Sequence, residues 1–212
     1  MPPHLPRLLV AAASGYLLGT VPSSDIASRV ASAGVDLRTS GSRNPGGLNA
    51  LRLLGKGPGR AVIVADVAKG YLACACGRRV AGDLGAHVGG VAAVLGHCYP
   101  LWTSFRGGKG VATSFGQCLY TFPAYAPFDL ALATAVTRVP GLRHRALVSV
   151  GVASGGWLAA SVLWWKRRLP NAWGPPVTAA LPLANAATVL VVASAFVRVL
   201  LRRDPNDLAQ ER

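Results

Sequence analysis

Six long apolar stretches constrain the fold of this chain more than any other feature of its sequence. A helix needs roughly 20 residues to cross about 30 Å of hydrocarbon, and all six stretches are long enough to span a bilayer or nearly so. Taken singly, each is also consistent with a buried helix of a soluble protein, and the first with a signal peptide cleaved at Ala11, Ala12 and Ala13. The stretches cover residues 5–21, 61–77, 85–103, 110–137, 146–165 and 177–201.

The scarcity of charged residues decides between these alternatives. Charged residues make up 14% and apolar residues 51% of the 212 residues, whereas a soluble domain has about 25% charged residues. Six apolar stretches leave too few polar side chains to cover a water-soluble fold. The sequence therefore predicts an all-α, polytopic membrane protein, with one integral membrane domain over residues 1–201 and a polar cytoplasmic tail over residues 202–212.

The distribution of lysine and arginine predicts how the chain crosses the membrane. The net charge of +14 would suggest a nucleic-acid partner in a soluble protein, but here the basic residues cluster between apolar stretches, as in cytoplasmic loops. If residues 110–137 form one crossing, the two sides carry almost equal numbers of basic residues. If this stretch turns back near Phe122, Pro123 and Ala124, where proline breaks a helix, more than twice as many lie inside as outside. We therefore expect about seven helices, some short or re-entrant, an outside N-terminus and no nucleic-acid partner.

The cysteines and histidines do not form a metal-binding pattern. Cys74, Cys76, Cys98 and Cys118 all fall in apolar stretches without a CxxC pair, and the four histidines are scattered. We interpret the cysteines as small packing residues, and we expect neither a metal site nor a cofactor.

Two glycine-rich basic loops face the same side in the seven-helix topology. Loop one, residues 41–60, reads GSRNPGGLNALRLLGKGPGR, and loop two, residues 104–116, reads SFRGGKGVATSFG. Glycines let the backbone approach a ligand closely, and helix N-termini and basic side chains attract anions. With Arg52, Arg106 and Lys109 the two loops are suited to phosphate, although they are equally consistent with ordinary basic turns. Neither has the spacing of a P-loop.

Three polar residues within the apolar stretches are candidates for the wall of the same pocket. Asp66 and Lys69 lie three residues apart on one helix face, where an isolated charge would cost roughly 3 kcal/mol. They form either a structural ion pair or part of an anion pocket. His97 lies near the end of its helix, ahead of loop two, and is either an ordinary hydrogen-bonded residue or a catalytic one.

Over roughly its first 140 residues the chain resembles the bacterial membrane glycerol-3-phosphate acyltransferases that use acyl phosphate, the PlsY family. GYLLGTVP resembles the family's opening helix, GVDLRTSGSRNPGGLNALRLLGKGPG its first loop, commonly GSGNxGATNxxRxxG, and DVAKG its DxxKG. The most specific match is VLGHCYPLWTSFRGGKGVATSFG, which follows the family's second loop almost without interruption. The resemblance implies a seven-helix bundle in the bacterial plasma membrane, with both loops in the cytoplasm.

The resemblance also implies a reaction and a set of site residues. The reaction is transfer of a fatty acyl group from acyl phosphate to the sn-1 hydroxyl of glycerol 3-phosphate, giving lysophosphatidate for phospholipid biosynthesis, with no acyl-serine intermediate. Lys109, Arg52 and His97 are the implied catalytic residues, and Asp66 and Lys69 form the pocket wall. The residues implied to bind the substrate phosphates are Ser42, Asn44, Asn49, Gly107, Gly108 and Gly110. The acyl chain is expected along helix faces that are open to the lipid bilayer.

The chain departs from the family pattern in several places. Arg43 stands where the family has glycine, and Gly47 and Leu48 stand where it has alanine and threonine. The serine cluster of its third region is replaced by TRVPGLRHR, and its C-terminal HRxNI by LLRRDPNDL, of which Arg203 and Asn206 could be remnants. These departures keep a second interpretation open, a non-catalytic relative that binds a lipid, phosphate or a membrane partner. A small anion transporter is a third interpretation, and the sequence leaves the oligomeric state open.

Overall fold

The structure, a computed structural model, describes residues 5–31 and 34–201. Within these residues it is all helical, with no β-strand, as the sequence predicts. The helices are α1 Leu5–Gly19, α2 Ser23–Val30, α3 Gly47–Leu53, α4 Lys56–Cys98, α5 Val111–Thr121, α6 Ala126–Thr137, α7 Arg145–Arg167 and α8 Ala180–Leu201, with a short 3-10 turn at Leu101–Thr103. The predicted tail, with Arg203 and Asn206, lies outside the described residues.

Helix α4 is a helical hairpin rather than one straight helix. Its 43 residues are interrupted at Ala81 (φ −135°) and Gly82 (φ 66°, ψ −157°), and only glycine adopts the second conformation readily. The hairpin has a first arm, residues 56–80, and a second arm, residues 83–98. The two arms meet through glycines, because a Cβ added to Gly77 would overlap the carbonyl oxygen of Gly85. The two arms of α4 therefore correspond to two of the predicted apolar stretches, residues 61–77 and 85–103.

Small residues also bring α1 and α5 against the hairpin. Gly15 and Gly19 of α1 lie so close to the second arm that a Cβ on either would overlap the carbonyl oxygen of Gly89 or Ala93. Gly116 of α5 contacts the backbone of the first arm in the same way. Contacts of this kind are typical of helices packed within a membrane, where small residues let backbones approach closely.

The predicted break in residues 110–137 is confirmed. Helix α5 ends at Thr121 and α6 begins at Ala126, because Pro123 cannot donate the backbone hydrogen bond that a continuous helix would need. The side chains of Phe122 and Tyr125 in the turn are buried and belong to a core cluster with Trp157 of α7. The two halves are short, with 11 and 12 residues.

Helices α6, α7 and α8 complete the bundle and return the chain to loop two. The Ser149 hydroxyl at the start of α7 donates to the carbonyl oxygen of Ala133 on α6, at 2.7 Å. The Thr188 hydroxyl of α8 donates to Gln117 Oε1 of α5, at 2.9 Å, in the buried interior. The side chain of Arg198, near the end of α8, reaches the backbone of loop two.

The outer surface of the bundle is strongly apolar. Leu183 and Leu190 of α8 are 69% and 70% exposed, as expected where helices face hydrocarbon. Among the described residues, α7 and α8 are long and apolar enough by themselves to cross a membrane, and α6 is a shorter apolar helix. The cysteines are free and three of the four are buried, which agrees with their interpretation as packing residues.

Candidate functional site

A cleft lies where loop two meets the segment that joins α1 to α3. The cleft is open at one end of the bundle and combines backbone, hydroxyl, carboxylate, imidazole and cationic groups. Its lining residues are Gly19, Thr20, Val21, Pro22, Ser23, Ser24, Arg38, Pro45, Asp66, Lys69, His97, Pro100, Gly107 and Gly108. Of the two predicted loops, loop two contributes Gly107 and Gly108 to this lining and loop one contributes Pro45 alone.

The N-terminus of α2 forms one wall of the cleft. Pro22 precedes the helix, and Ser23 and Ser24 in its first turn are both buried and line the cleft. The first backbone N–H groups of a helix lack partners within the helix and carry partial positive charge. In α2 the Ser23 N–H donates to the Val21 carbonyl oxygen and the Asp25 N–H to that of Pro22, both at 3.0 Å. The Ser24 N–H and the helix dipole therefore give this wall its affinity for an anion.

Asp66 and Lys69 form the buried charged centre of the cleft. Asp66 is 2% and Lys69 7% exposed, and Lys69 Nζ lies 2.8 Å from Asp66 Oδ1. The same carboxylate oxygen accepts a hydrogen bond from the Ser23 hydroxyl at 2.9 Å, and Lys69 Nζ donates to the Val21 carbonyl oxygen at 3.2 Å. The ion pair predicted as one alternative is present, and both of its members also line the cleft. The two interpretations of this pair are compatible.

His97 completes this centre from the second arm of α4. It is 7% exposed, and its Nδ1 lies 3.6 Å from Asp66 Oδ1, which is longer than an ordinary hydrogen bond. Gly108 lies against the imidazole, since a Cβ on Gly108 would overlap His97 Nε2. The ring is therefore confined between a carboxylate and the glycines of loop two.

Loop two needs glycines because its backbone lies directly against the end of α4. The Gly107 N–H donates to the Cys98 carbonyl oxygen at 3.2 Å, and the Gly108 N–H donates to the His97 carbonyl oxygen at 3.1 Å. Gly110 precedes α5 with φ 82°, a conformation that favours glycine. Loop two is therefore a fixed turn rather than a loose basic loop.

Arg38 is a cation of the cleft that no motif in the sequence singles out. Its guanidinium forms a bidentate pair with Asp25, at 2.7 and 3.0 Å, and its Nε donates to the Arg106 carbonyl oxygen at 3.0 Å. Partial burial alone would lower the pKa of Arg38, but the hydrogen bonds and charge of Asp25, with the charge of Asp36, raise it. Arg38 stays cationic and connects the α1–α3 segment to loop two.

Ser23 is a second residue of the cleft that was not predicted. The sequence nevertheless contains a signal for both Ser23 and Arg38. Pro22 followed by Ser23, Ser24 and Asp25 is a typical helix start, and Arg38 falls inside the quoted match to the first family loop. Neither signal places the side chain in a cleft, because that depends on packing against residues far along the chain.

The predicted site residues separate into two groups in the structure. Those that line the cleft are Asp66, Lys69, His97, Gly107 and Gly108. Those that do not line it are Ser42, Asn44, Asn49, Arg52, Lys109 and Gly110.

Asn49 joins loop one to the residues just before it through hydrogen bonds to their backbone. Its Nδ2 donates to the carbonyl oxygens of Leu37 and Ser40, at 3.1 and 3.0 Å, and its Oδ1 accepts from the Ser42 N–H at 3.0 Å. The side chain is 2% exposed, so phosphate binding by Asn49 would require these bonds to break. Asn44 is half-buried, and its Oδ1 has no hydrogen bond to any described residue.

The two predicted catalytic cations lie away from the cleft lining. Arg52 is exposed on α3, and Lys109 Nζ lies 4.5 Å from the ring centroid of Phe196 on α8. Among the departures from the family pattern, Arg43 has a left-handed backbone with φ 52°. Gly47 has a clear packing reason, because Ile63 fills the space that a Cβ would need.

The fold and the cleft define a class of protein: a helical membrane protein with a buried, partly cationic site at one end of its bundle. Residues 9–208 match the family model for glycerol-3-phosphate acyltransferase. The chain belongs to the glycerol-3-phosphate acyltransferase family.

Individual relatives and solved structures agree with this family. A glycerol-3-phosphate acyltransferase from Symbiobacterium thermophilum is 43% identical over 117 residues, 55% of this chain and 58% of the relative. One from Synechococcus elongatus is also 43% identical over 117 residues, 51% of this chain and 55% of the relative. The chain thus spans somewhat more than half the length of these relatives. Another, from Synechococcus sp. strain JA-3-3Ab, is 38% identical over 194 residues, 92% of this chain and 88% of the relative.

Two solved structures of PlsY, an integral membrane glycerol 3-phosphate acyltransferase, share the fold. Its glycerol 3-phosphate form superposes with a TM-score of 0.74 at 26% identity, covering 92% of this chain and 90% of that one. Its lysophosphatidic acid form gives a TM-score of 0.72 at 25% identity with the same coverage. The agreement covers nearly the whole chain and therefore includes the helices that build the cleft.

Proposed function

We propose that this protein is a membrane acyltransferase of phospholipid biosynthesis, which moves a fatty acyl group from acyl phosphate to glycerol 3-phosphate and gives lysophosphatidate. The observation that carries this proposal is the cleft, in which the N-terminus of α2, Arg38, Lys69 and loop two surround one space. Family membership and the two PlsY structures, one with glycerol 3-phosphate and one with the lysophosphatidic acid product, support it.

The chemistry of this reaction fits the groups in the cleft. The hydroxyl oxygen of glycerol 3-phosphate attacks the acyl carbonyl carbon, the bond from that carbon to the phosphate oxygen breaks, and inorganic phosphate departs with the bonding electrons. The proton of the hydroxyl passes to the departing phosphate, so no cofactor is needed. The two substrates repel each other, and cationic groups held in place lower the cost of bringing them together.

Separate roles follow for the residues of the cleft. We assign Arg38, Lys69 and the α2 N-terminus to the phosphate groups, and His97, confined by Asp66 and Gly108, to positioning of the reacting hydroxyl. Lys109 follows Gly108 directly and has a long flexible stem, so it keeps its proposed role as a catalytic cation of loop two. The roles predicted for Ser42, Asn44, Asn49, Arg52 and Gly110 in phosphate binding and catalysis remain proposals.

The proposed topology has seven helical passes in a bacterial plasma membrane. They are α1, the two arms of α4, α5, α6, α7 and α8, with the N-terminus outside and the cleft at the cytoplasmic face. The bias of lysine and arginine toward the side of loops one and two supports this orientation. The acyl chain would leave the cleft along apolar helix faces in contact with lipid.

A product assay tests the proposed function. Purified protein in detergent, given acyl phosphate and glycerol 3-phosphate, should release phosphate and form lysophosphatidate. Lys109→Ala should abolish the reaction, whereas Lys56→Ala, an exposed lysine at the start of α4, should leave it unchanged. Binding of glycerol 3-phosphate without turnover would favour the non-catalytic relative, and phosphate uptake into proteoliposomes without acyl product would favour a transporter.

A further inference from the structure

Arg198 connects the last turn of α8 to the backbone of loop two. One terminal nitrogen donates to the carbonyl oxygens of Cys98 at 2.6 Å and Phe105 at 2.8 Å. The other donates to those of Gly107 at 2.9 Å and Gly108 at 3.2 Å. One side chain thus binds four backbone carbonyls, the first of which belongs to the last residue of α4, where a cation is favoured by the helix dipole.

Further contacts fix the position of this guanidinium. It lies over the ring of Tyr99, 4.6 Å from the centroid, in a cation–π arrangement. The Tyr99 hydroxyl is 2.8 Å from Ser194 Oγ on the same helix α8, and the Tyr99 carbonyl oxygen accepts a hydrogen bond from the Tyr16 hydroxyl of α1 at 2.8 Å. The end of α8 is therefore joined to the start of loop two by several bonds at once.

Loop two is held from two sides where it lines the cleft. The N–H groups of Gly107 and Gly108 bond to carbonyl oxygens at the end of α4, and their own carbonyl oxygens bond to Arg198. Both glycines line the cleft, and Gly108 confines His97. Glycines have no side chains to hold a loop in place, so the shape of this wall depends on its backbone bonds.

We propose that Arg198 is a positioning residue that holds loop two in the conformation needed to bind the phosphate of glycerol 3-phosphate. This inference rests on the proposed function of the cleft. Arg198 is not among the cleft's lining residues, so it acts through Gly107 and Gly108. The fork of the guanidinium is essential to this role, because an ammonium group is a single point charge and does not bind four separated carbonyls in one geometry.

Three variants test this role by comparing kinetics with stability. Arg198→Ala should lower kcat/KM for glycerol 3-phosphate by about tenfold to 100-fold, mainly through a higher KM, because small displacements of a positioned group have effects of this size. Arg198→Lys should recover only a small part of the loss, although it keeps the charge. Arg138→Ala, which removes an exposed arginine at the end of α6, should retain full activity.

The melting temperature of each variant is measured in detergent together with its kinetics. The two measurements distinguish a role in positioning loop two from a role in stability alone. A lower melting temperature with unchanged kcat/KM for Arg198→Ala would show a purely structural role and overturn the inference. Full recovery by Arg198→Lys would show that charge alone matters and would also overturn it.

The failure of the proposed function is distinguishable from the failure of this inference. If the unmodified protein shows no turnover, the proposed function fails, and calorimetric titration with glycerol 3-phosphate then tests Arg198 directly. Weaker binding to Arg198→Ala than to the unmodified protein would support the inference, and equal binding would overturn it. If the unmodified protein neither turns over nor binds glycerol 3-phosphate, both proposals fall.

Discussion

Gly108 leaves no room for a side chain between loop two and His97. A Cβ at this position would overlap His97 Nε2, so Gly108→Ala must displace the imidazole or loop two. We expect a loss of stability of about 1–3 kcal/mol, as for other overpacked positions, together with a marked fall in kcat/KM. Thermal melting in detergent and the product assay measure the two effects.

Gly57→Ala is the matched control for this substitution. Gly57 lies in the first turn of α4 and has open space around its Cα, so an alanine there should keep full activity and change stability by less than about 1 kcal/mol. Equal behaviour of the two variants would show that the contact between Gly108 and His97 has no role in the site.

Variants of the buried pair Asp66 and Lys69 distinguish its contribution to stability from its contribution to activity. Lys69→Met leaves a buried carboxylate without its ammonium partner and should cost about 3–5 kcal/mol, whereas the double variant Asp66→Leu with Lys69→Met should regain most of this stability. If the pair also serves the cleft, the double variant should remain at least about 100-fold less active, because the site has lost its charged centre. Wild-type activity in a stable double variant would reduce the pair to a structural role.

The residues that the sequence could identify are those whose type conflicts with their surroundings. Asp66, Lys69 and His97 are polar residues in apolar stretches. Gly107 and Gly108 belong to a glycine-rich motif, and several glycines in a row raise the conformational entropy lost on folding. Arg38 and Arg198 were not distinguishable from the many other arginines of a basic chain. Their roles arise from contacts with Arg106 and with loop two, which lie 68 and about 90 residues away and which no local pattern encodes.

The packing of the two arms of the α4 hairpin depends on small residues. A Cβ on Gly77 would overlap the carbonyl oxygen of Gly85 in the opposite arm, so Gly77→Ala should force the arms apart at a cost of about 1–3 kcal/mol. Gly151→Ala on α7, where nothing lies within contact, should be neutral or slightly stabilising. A comparison of melting temperatures checks this, and equal values would contradict close contact between the arms.

The helix boundaries that the sequence predicts are those set by a single residue with a strong conformational preference. The break between α5 and α6 follows from Pro123, whose ring and missing N–H do not fit a continuous helix. Helices α2 and α3 were not foreseen, because eight and seven residues carry little periodic signal and the glycines of loop one obscure it further. Asn49 shows the same limit: an asparagine in a loop suggested a ligand, yet its amide bonds to the backbone just before loop one.

The proposed seven-pass topology predicts which side of the membrane each connection faces. In a variant without the half-buried Cys76, Arg143→Cys in the α6–α7 connection should react with a membrane-impermeant maleimide only after cells are permeabilised. Trp173→Cys, at a residue that is 70% exposed between α7 and α8, should react in intact cells. Labelling of both positions from the same side would contradict the topology.

The cleft between α2, α4 and loop two is proposed to bind the phosphate of glycerol 3-phosphate, and the other proposed roles depend on this binding. A crystal structure of this protein with glycerol 3-phosphate tests it most directly. We expect phosphate oxygens about 3 Å from the guanidinium of Arg38, the ammonium of Lys69 or the Ser24 N–H at the start of α2. Glycerol 3-phosphate bound instead on the exposed face of α3 at Arg52, with the cleft empty, would contradict it.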